Sequence, residues 1–312
     1  MAGETLTDDA GGAILRDAVE RREVRRTTVD RRLTYTNARR AAHAERDAER
    51  LRLAQRFASL PGPHIPRDDG YLVLPAGTFA DLVDPVVAAG NRLIEQIGHT
   101  ALVEHGGKSD FIARGFLPES AFALDSPYFR LALDERVVGP VSAYLGVVPV
   151  LTEVDVWYSV HQPKAPKRSQ LWHMDSDDTT LIKLWVHLSD VDARSGPLTA
   201  FGANDSARLA DALAYNYRDG YRVPDDRVSP VFGAERQVAF VGPPGTVDFI
   251  DTCRCFHFGS RVGADGEPRR LLMVEYQTPY AFEFSNYRKE ARYRALAPSA
   301  STDLQRLLLG AA

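Results

Sequence analysis

The residues best placed by type and spacing to do chemistry in this 312-residue chain are His173, Asp175 and His257. A β-strand repeats every two residues, so the side chains of His173 and Asp175 in Trp172-His173-Met174-Asp175 leave the same face and can share a metal. His257 follows far downstream, in Asp251-Thr252-Cys253-Arg254-Cys255-Phe256-His257-Phe258-Gly259-Ser260-Arg261. Two imidazoles and one carboxylate form the facial set that suits iron(II) and leaves coordination positions open for a co-substrate and O2. The His-x-Asp spacing alone is weak, because a chain with eight histidines supplies such pairs by chance. His43-Ala44-Glu45 is one, but it sits in an Arg/Ala-rich helical segment, where residues i and i+2 diverge around the axis and cannot chelate one ion.

Past the turn Gly263-Ala264-Asp265-Gly266 comes Pro268-Arg269-Arg270-Leu271-Leu272. This reads as a hairpin, with His257 on one strand and an arginine at the start of the next facing a common cavity. A guanidinium there suits bidentate capture of the distal carboxylate of 2-oxoglutarate. Arg269 and Arg270 are the two candidates. Trp172 and Trp185 are candidate cavity walls, Lys183 a candidate anion contact sharing strand parity with Trp185, and Arg261 a candidate contact for an anionic substrate group. Asp177 and Asp178 read as a solvated turn after the strand, Cys253 and Cys255 as small core residues rather than a disulfide, and residues 108–116 as a lid.

The elements that must position these groups fall into three stretches. Residues 1–60 form a helical N-terminal extension, rich in Arg and Ala from about Ala13 to Ala58 and stopped at Pro61-Gly62-Pro63. Residues 61–285 carry the chemistry, and 286–312 form a helical tail. Within the central stretch Tyr71-Leu72-Val73-Leu74 reads as a strand. Thr78 is a cap for a helix to about Ile97, and Ser126 starts a helical period ending at Gly146. From Val147 apolar and polar residues alternate (Val154, Val156, Tyr158; Leu184, Val186, Leu188; Leu272, Val274, Tyr276), which predicts an antiparallel sandwich or barrel.

The formal net charge of -4 and the lack of a basic patch beyond the N-terminal arginines argue against nucleic acid. No long apolar run or secretory leader is visible, and the two cysteines suit a reducing compartment, so a cytoplasmic protein with no membrane partner is expected. Its oligomeric state stays open.

Between about Asp69 and Tyr280 the chain resembles the phytanoyl-CoA dioxygenase-like family of iron(II)/2-oxoglutarate oxygenases. The resemblance rests on Asp69-Gly70-Tyr71-Leu72-Val73-Leu74-Pro75, Trp172-His173-Met174-Asp175, Leu188-Ser189-Asp190-Val191-Asp192 with Gly196-Pro197-Leu198, and Gly245-Thr246-Val247-Asp248-Phe249 before the His257 segment. It implies a mainly β fold with flanking helices around a double-stranded β-helix (jelly-roll, cupin-like) core. It places the metal on His173, Asp175 and His257, and 2-oxoglutarate on Arg269 or, with a one-residue slip, on Arg270, with Arg269 preferred. The implied activity is oxidation of a small molecule, by default hydroxylation, of the kind found in specialised-metabolite biosynthesis, with release of succinate and CO2. Asp175 argues against halogenation, which needs that carboxylate to be absent. Thr199-Ala200-Phe201-Gly202 departs from the family's usual turn and leaves the substrate open. The competing expectations are a cupin-type isomerase or lyase and a non-catalytic metal-binding barrel.

Overall fold

The computed structural model describes residues 19–105, 110–218, 221–282 and 287–310. Among these described residues nine strands follow in chain order: β1 (Tyr71–Leu74), β2 (Ile112–Ala113), β3 (Val150–Ser159), β4 (Leu181–His187), β5 (Thr199–Ala200), β6 (Val238–Ala239), β7 (Val247–Ile250), β8 (His257–Phe258) and β9 (Arg269–Gln277). They form a six-stranded sheet in the order β1-β7-β4-β9-β3-β2 and a three-stranded sheet in the order β6-β5-β8, every pairing antiparallel. Bridges Trp172↔Val223 and His173↔His257 extend the small sheet beyond β8.

Period-two alternation sends the two faces of each sheet to different neighbours. Val154, Val156, Leu184, Val186, Leu272 and Val274 pack beneath helices that include Ala80–Ile97 and Glu135–Leu145. The opposite parity turns Trp185, Leu271 and Met273 toward Leu198, Ala200 and Phe240 of the small sheet, so the two sheets face one another. Behind the small sheet, Trp172, Met174, Phe201 and Phe256 pack with Leu209, Tyr215 and Val223.

The chain is not mainly β: 40% is helix and 18% strand. The strands of the small sheet are two residues long, while helices back both layers and both ends of the chain. Helices Val29–Ala42 and Ala48–Ser59 occupy the Arg/Ala-rich N-terminal stretch, where no Gly or Pro interrupts them. Leu53 and Phe57 of the second join the main core at i, i+4 spacing. Ser126 caps its helix by accepting from the Phe129 N–H, with Pro127 at the first turn. That helix stops at Ala132, however, and a second runs Glu135–Leu145 from an Asp134 cap to left-handed Gly146. Thr78 is not a cap; Phe79, in the left-handed region at φ 56°, precedes helix Ala80–Ile97.

Two further expectations fail. His257 and Arg269 are not in one hairpin, since β8 pairs with β5 and β9 with β3 and β4. The intervening segment crosses between sheets. Nor do Asp177 and Asp178 sit in solvent. Asp177 pairs with Arg25 at 2.7 Å, and Asp178 is fully buried, accepting from the N–H and hydroxyl of Thr278 at 2.9 and 2.7 Å. Buried Arg32 of helix Val29–Ala42 donates to the carbonyls of Ser176 and Asp178, stapling the N-terminal helix to the loop that follows Asp175.

Burial pushes the Asp178 carboxyl up to about 7 against the donors from Thr278 and Thr179. Its folded-state value thus lies above the unfolded value of about 4. The stability it contributes is complete below about pH 4 and is lost as pH rises through 7. Asp178→Asn removes this component, on the order of a few kcal/mol. Thermal melts should therefore show the wild-type minus variant Tm difference shrinking from pH 4 to pH 8. A difference independent of pH would mean that Asp178 is ionised in the fold.

Candidate metal centre

His173 and Asp175 lie on an extended segment held on both sides by backbone bonds. His173 N–H and O exchange bonds with His257 at 3.0 and 2.9 Å, and the Asp175 N–H donates to Thr252 O at 2.8 Å. The even spacing turns His173 and Asp175 inward and leaves Trp172 and Met174 in the outer cluster. Each imidazole is fixed by a carbonyl, which can only accept: Nδ1 of His173 donates to Leu171 O (2.8 Å) and Nδ1 of His257 to Cys255 O (2.9 Å). Nε2 of each ring is therefore the lone-pair nitrogen. Asp175 Oδ1 lies 3.6 Å from His173 Nε2, and Oδ2 lies 4.0 Å from His257 Nε2. One ligand atom from each of the three residues fits within 4.8 Å of the others, and among the described residues this is the group of three acidic, His or Cys side chains able to hold an ion.

Burial, together with His257 and Arg222, holds the His173 imidazole well below its usual range, and burial takes His257 down to about 4, against the pull of Asp175. Burial alone would raise the Asp175 carboxyl, but the Lys183 ammonium and the two imidazoles outweigh it and hold it well below the carboxylate range. The result is two neutral imidazoles and one carboxylate at neutral pH, the donor state that a divalent ion requires.

The three residues open into a cavity of about 860 Å³ between the sheets. Arg269 enters it from the start of β9, 3% exposed, donating from Nη2 to Ser260 Oγ at 2.7 Å. Among the described residues its Nε and Nη1 are buried with no partner, as are the indole nitrogens of Trp157 and Trp185, whose rings meet edge to face at 4.9 Å on the same wall. Burial lowers the Arg269 guanidinium to about 10, opposed by Asp248. A guanidinium buried this deeply calls for an anion. Arg270 lies on the other face of β9, half-buried, and donates to Asn91 Oδ1 at 3.2 Å.

No family model matches the chain. No curated protein matches it either. Solved structures overlap it in part. They include the non-haem α-ketoglutarate-dependent epimerase SnoN from nogalamycin biosynthesis (18% identity, 72% of this chain and 83% of that chain covered, TM-score 0.47). Another is EctD from S. alaskensis with bound Fe (22%, 68% and 73%, TM-score 0.48). A third is AviO1 from Streptomyces viridochromogenes Tue57 (21%, 74% and 96%, TM-score 0.43). Overlap of this extent says nothing about substrate or reaction.

Among the remaining candidates, Trp185 lines the cavity and Trp172 does not, being stacked on Phe201 behind the small sheet at 4.7 Å. Lys183 is in the cavity but is not a free anion contact. Its Nζ donates to Asp175 Oδ2 at 2.7 Å and lies 3.4 Å from Glu275 Oε2, and these two carboxylates hold it above its usual value although burial opposes them. Glu275 in turn accepts from Thr152 Oγ at 2.8 Å. Arg261 is committed elsewhere, to Asp225 at 2.9 Å, to Gln170 O and to the face of Phe258. His43 ends helix Val29–Ala42, outside the cluster. Cys253 and Cys255 are buried free thiols. Of the expected lid, 106–109 lie outside the described residues, while Ile112, Arg114 and Gly115 line the cavity.

Sequence reasoning missed Glu153, Asp155, Glu275, Ser260 and Arg222, all on the cavity wall. The first three share strand parity with Trp157 or Arg269, a signal that period two supplies. For Arg222 no such signal exists.

Proposed function

We propose that this chain is an iron(II)- and 2-oxoglutarate-dependent oxygenase of a small molecule, with a jelly-roll core of the phytanoyl-CoA dioxygenase-like kind. One observation carries the reading: a His/Asp/His cluster and a buried, half-unpartnered arginine open into the same cavity. His173 Nε2, His257 Nε2 and an Asp175 oxygen would hold the ion. Bound there with 2-oxoglutarate and O2, iron would supply the oxidising chemistry.

The chain's own groups supply the rest. Lys183 donates to one Asp175 oxygen, which leaves the other as the natural ligand atom and disfavours chelation by both. Arg269, braced by Ser260, offers two N–H groups to the distal carboxylate of the co-substrate. Trp157, Trp185, Leu198 and Leu271 surround that end with carbon and strengthen the ion pair by excluding water. The remaining volume of the cavity takes a substrate of small-molecule size. Among the described residues no helix is long and apolar enough to cross a membrane.

The test needs no knowledge of the substrate. Purified protein given iron(II), ascorbate and 2-oxoglutarate under air should form succinate and CO2 slowly in equal amounts, and His257→Ala protein should form none. A protein that retains iron but neither binds nor consumes 2-oxoglutarate would instead be a cupin-type isomerase, a lyase or a non-catalytic barrel, and the oxygenase reading would fall.

A further inference from the structure

The arginine nearest in register to the metal ligands is Arg222. The bridge Trp172↔Val223, with N–H to O bonds of 2.9 and 2.8 Å in both directions, is antiparallel, so Arg222 stands across from His173. His173 in turn pairs with His257, and His257 with Ala200. Arg222, His173, His257 and Ala200 thus form one cross-strand row, whose side chains share a face. That face is the cavity wall, which Arg222 lines. Its guanidinium leans on the neighbouring Tyr221 ring, 4.6 Å from the centroid, and Nη1 is buried without a partner among the described residues. Its charge is felt at both His173 and His257. Among the described residues it makes no ion pair.

Two more arginines line the same cavity without an acidic partner among the described residues: Arg114, whose guanidinium sits 5.3 Å from the centre of the Trp157 ring, and Arg168. Arg168 holds φ at 52°, and Ser260, on the same cavity wall, holds 61°. Left-handed backbone is costly for residues with a side chain and persists where surrounding contacts enforce it. Here Gln170 enforces it, donating to Ser260 O at 2.8 Å and accepting from the Lys167 N–H at 3.2 Å. The segment carrying Arg168 is therefore pinned to the wall.

The acids of the cavity are otherwise engaged. Asp177 takes Arg25, Asp175 and Glu275 share Lys183, Asp155 accepts the Gly115 N–H, and Glu153 has polar contacts of its own. Arg269 is reserved for the co-substrate on the proposed reading.

We propose that Arg222, with Arg168 and Arg114, forms the recognition site for an anionic group of the primary substrate, a phosphate, sulfate or carboxylate held beside the metal. Arg222 sets the reactive carbon against the centre by gripping the charge, and the other two draw the anion in from solvent. The inference rests on the oxygenase reading for its co-substrate, and its test keeps the two apart.

The probe is inorganic phosphate, titrated into full-length protein loaded with cobalt(II) and saturated with 2-oxoglutarate, so that Arg269 is already occupied. Broadening of the phosphorus resonance by the paramagnetic ion reports phosphate bound near it. Wild-type protein should show saturable broadening. Arg222→Gln should raise the half-saturating phosphate at least tenfold, Arg222→Lys and Arg168→Gln severalfold, and Arg136→Gln, whose guanidinium pairs with Asp81 and Asp134 away from the cavity, not at all. No broadening in the wild type, or equal broadening in Arg222→Gln, overturns the proposal, the second because phosphate would then sit on the metal alone. A tenfold loss of 2-oxoglutarate affinity in Arg222→Gln would reassign the residue to the co-substrate and also overturn it. The co-substrate reading is judged separately, by 2-oxoglutarate binding to the wild type and to Arg269→Ala.

Discussion

Alanine at His257 is expected to abolish iron retention, weakening the affinity by roughly two orders of magnitude or more and ending turnover. On the proposed reading three protein donors would hold the ion and leave other positions open, so the loss of one leaves too few to hold a labile divalent ion. His173→Ala and Asp175→Ala should behave alike, because each supplies one of the three atoms that converge in the cluster. His43→Ala should be silent, its ring being placed at the end of an N-terminal helix. Anaerobic calorimetry with iron(II) measures this, alongside circular dichroism to verify folding. Unchanged iron affinity in folded His257→Ala protein would remove the centre from this cavity.

The second large effect is expected at Arg269. Deleting a buried guanidinium that grips a carboxylate costs on the order of 2–5 kcal/mol. Arg269→Ala should therefore raise the apparent constant for 2-oxoglutarate by roughly 30-fold or more while iron affinity stays near normal. Arg269→Lys keeps charge but loses the fork, and should recover part of the binding. Arg270→Ala is the control, since that side chain contacts Asn91 on the far face of the sheet. Its 2-oxoglutarate binding should match the wild type. The reverse result, a defect in Arg270→Ala alone, would place the co-substrate on the helical side of the sheet and contradict the cavity.

The convergence of His173 and Asp175 was legible in the sequence because their relation is local: any extended segment puts i and i+2 on one face. The same rule separated Arg269 from Arg270 and turned Lys183 and Trp185 toward the cavity once Leu184 and Val186 were taken as core. It also held the answer for Trp172, which as the neighbour of His173 had to face away, and for Glu275, six residues along the strand from Arg269.

Alternation cannot say which distant segment lies alongside. Whether β8 pairs with β9 as a hairpin or crosses to β5 is decided by packing between the sheets, and the turn residues at 263–266 suit either course. The balance of helix and strand was hidden for a related reason. Two-residue strands carry almost no pattern, and they persist only because the facing sheet and the helices behind it bury them. Charge partners are the furthest from view, since Lys183 with Asp175 and Glu275, Arg25 with Asp177, and Arg261 with Asp225 join segments whose proximity the fold alone creates. The sequence by itself therefore determined the candidate donor set and its same-face neighbours along each strand, because those follow from local geometry. The tertiary structure alone decided that Arg222 stands across from His173, because the register of two strands about fifty residues apart is set by the cores on either side of them.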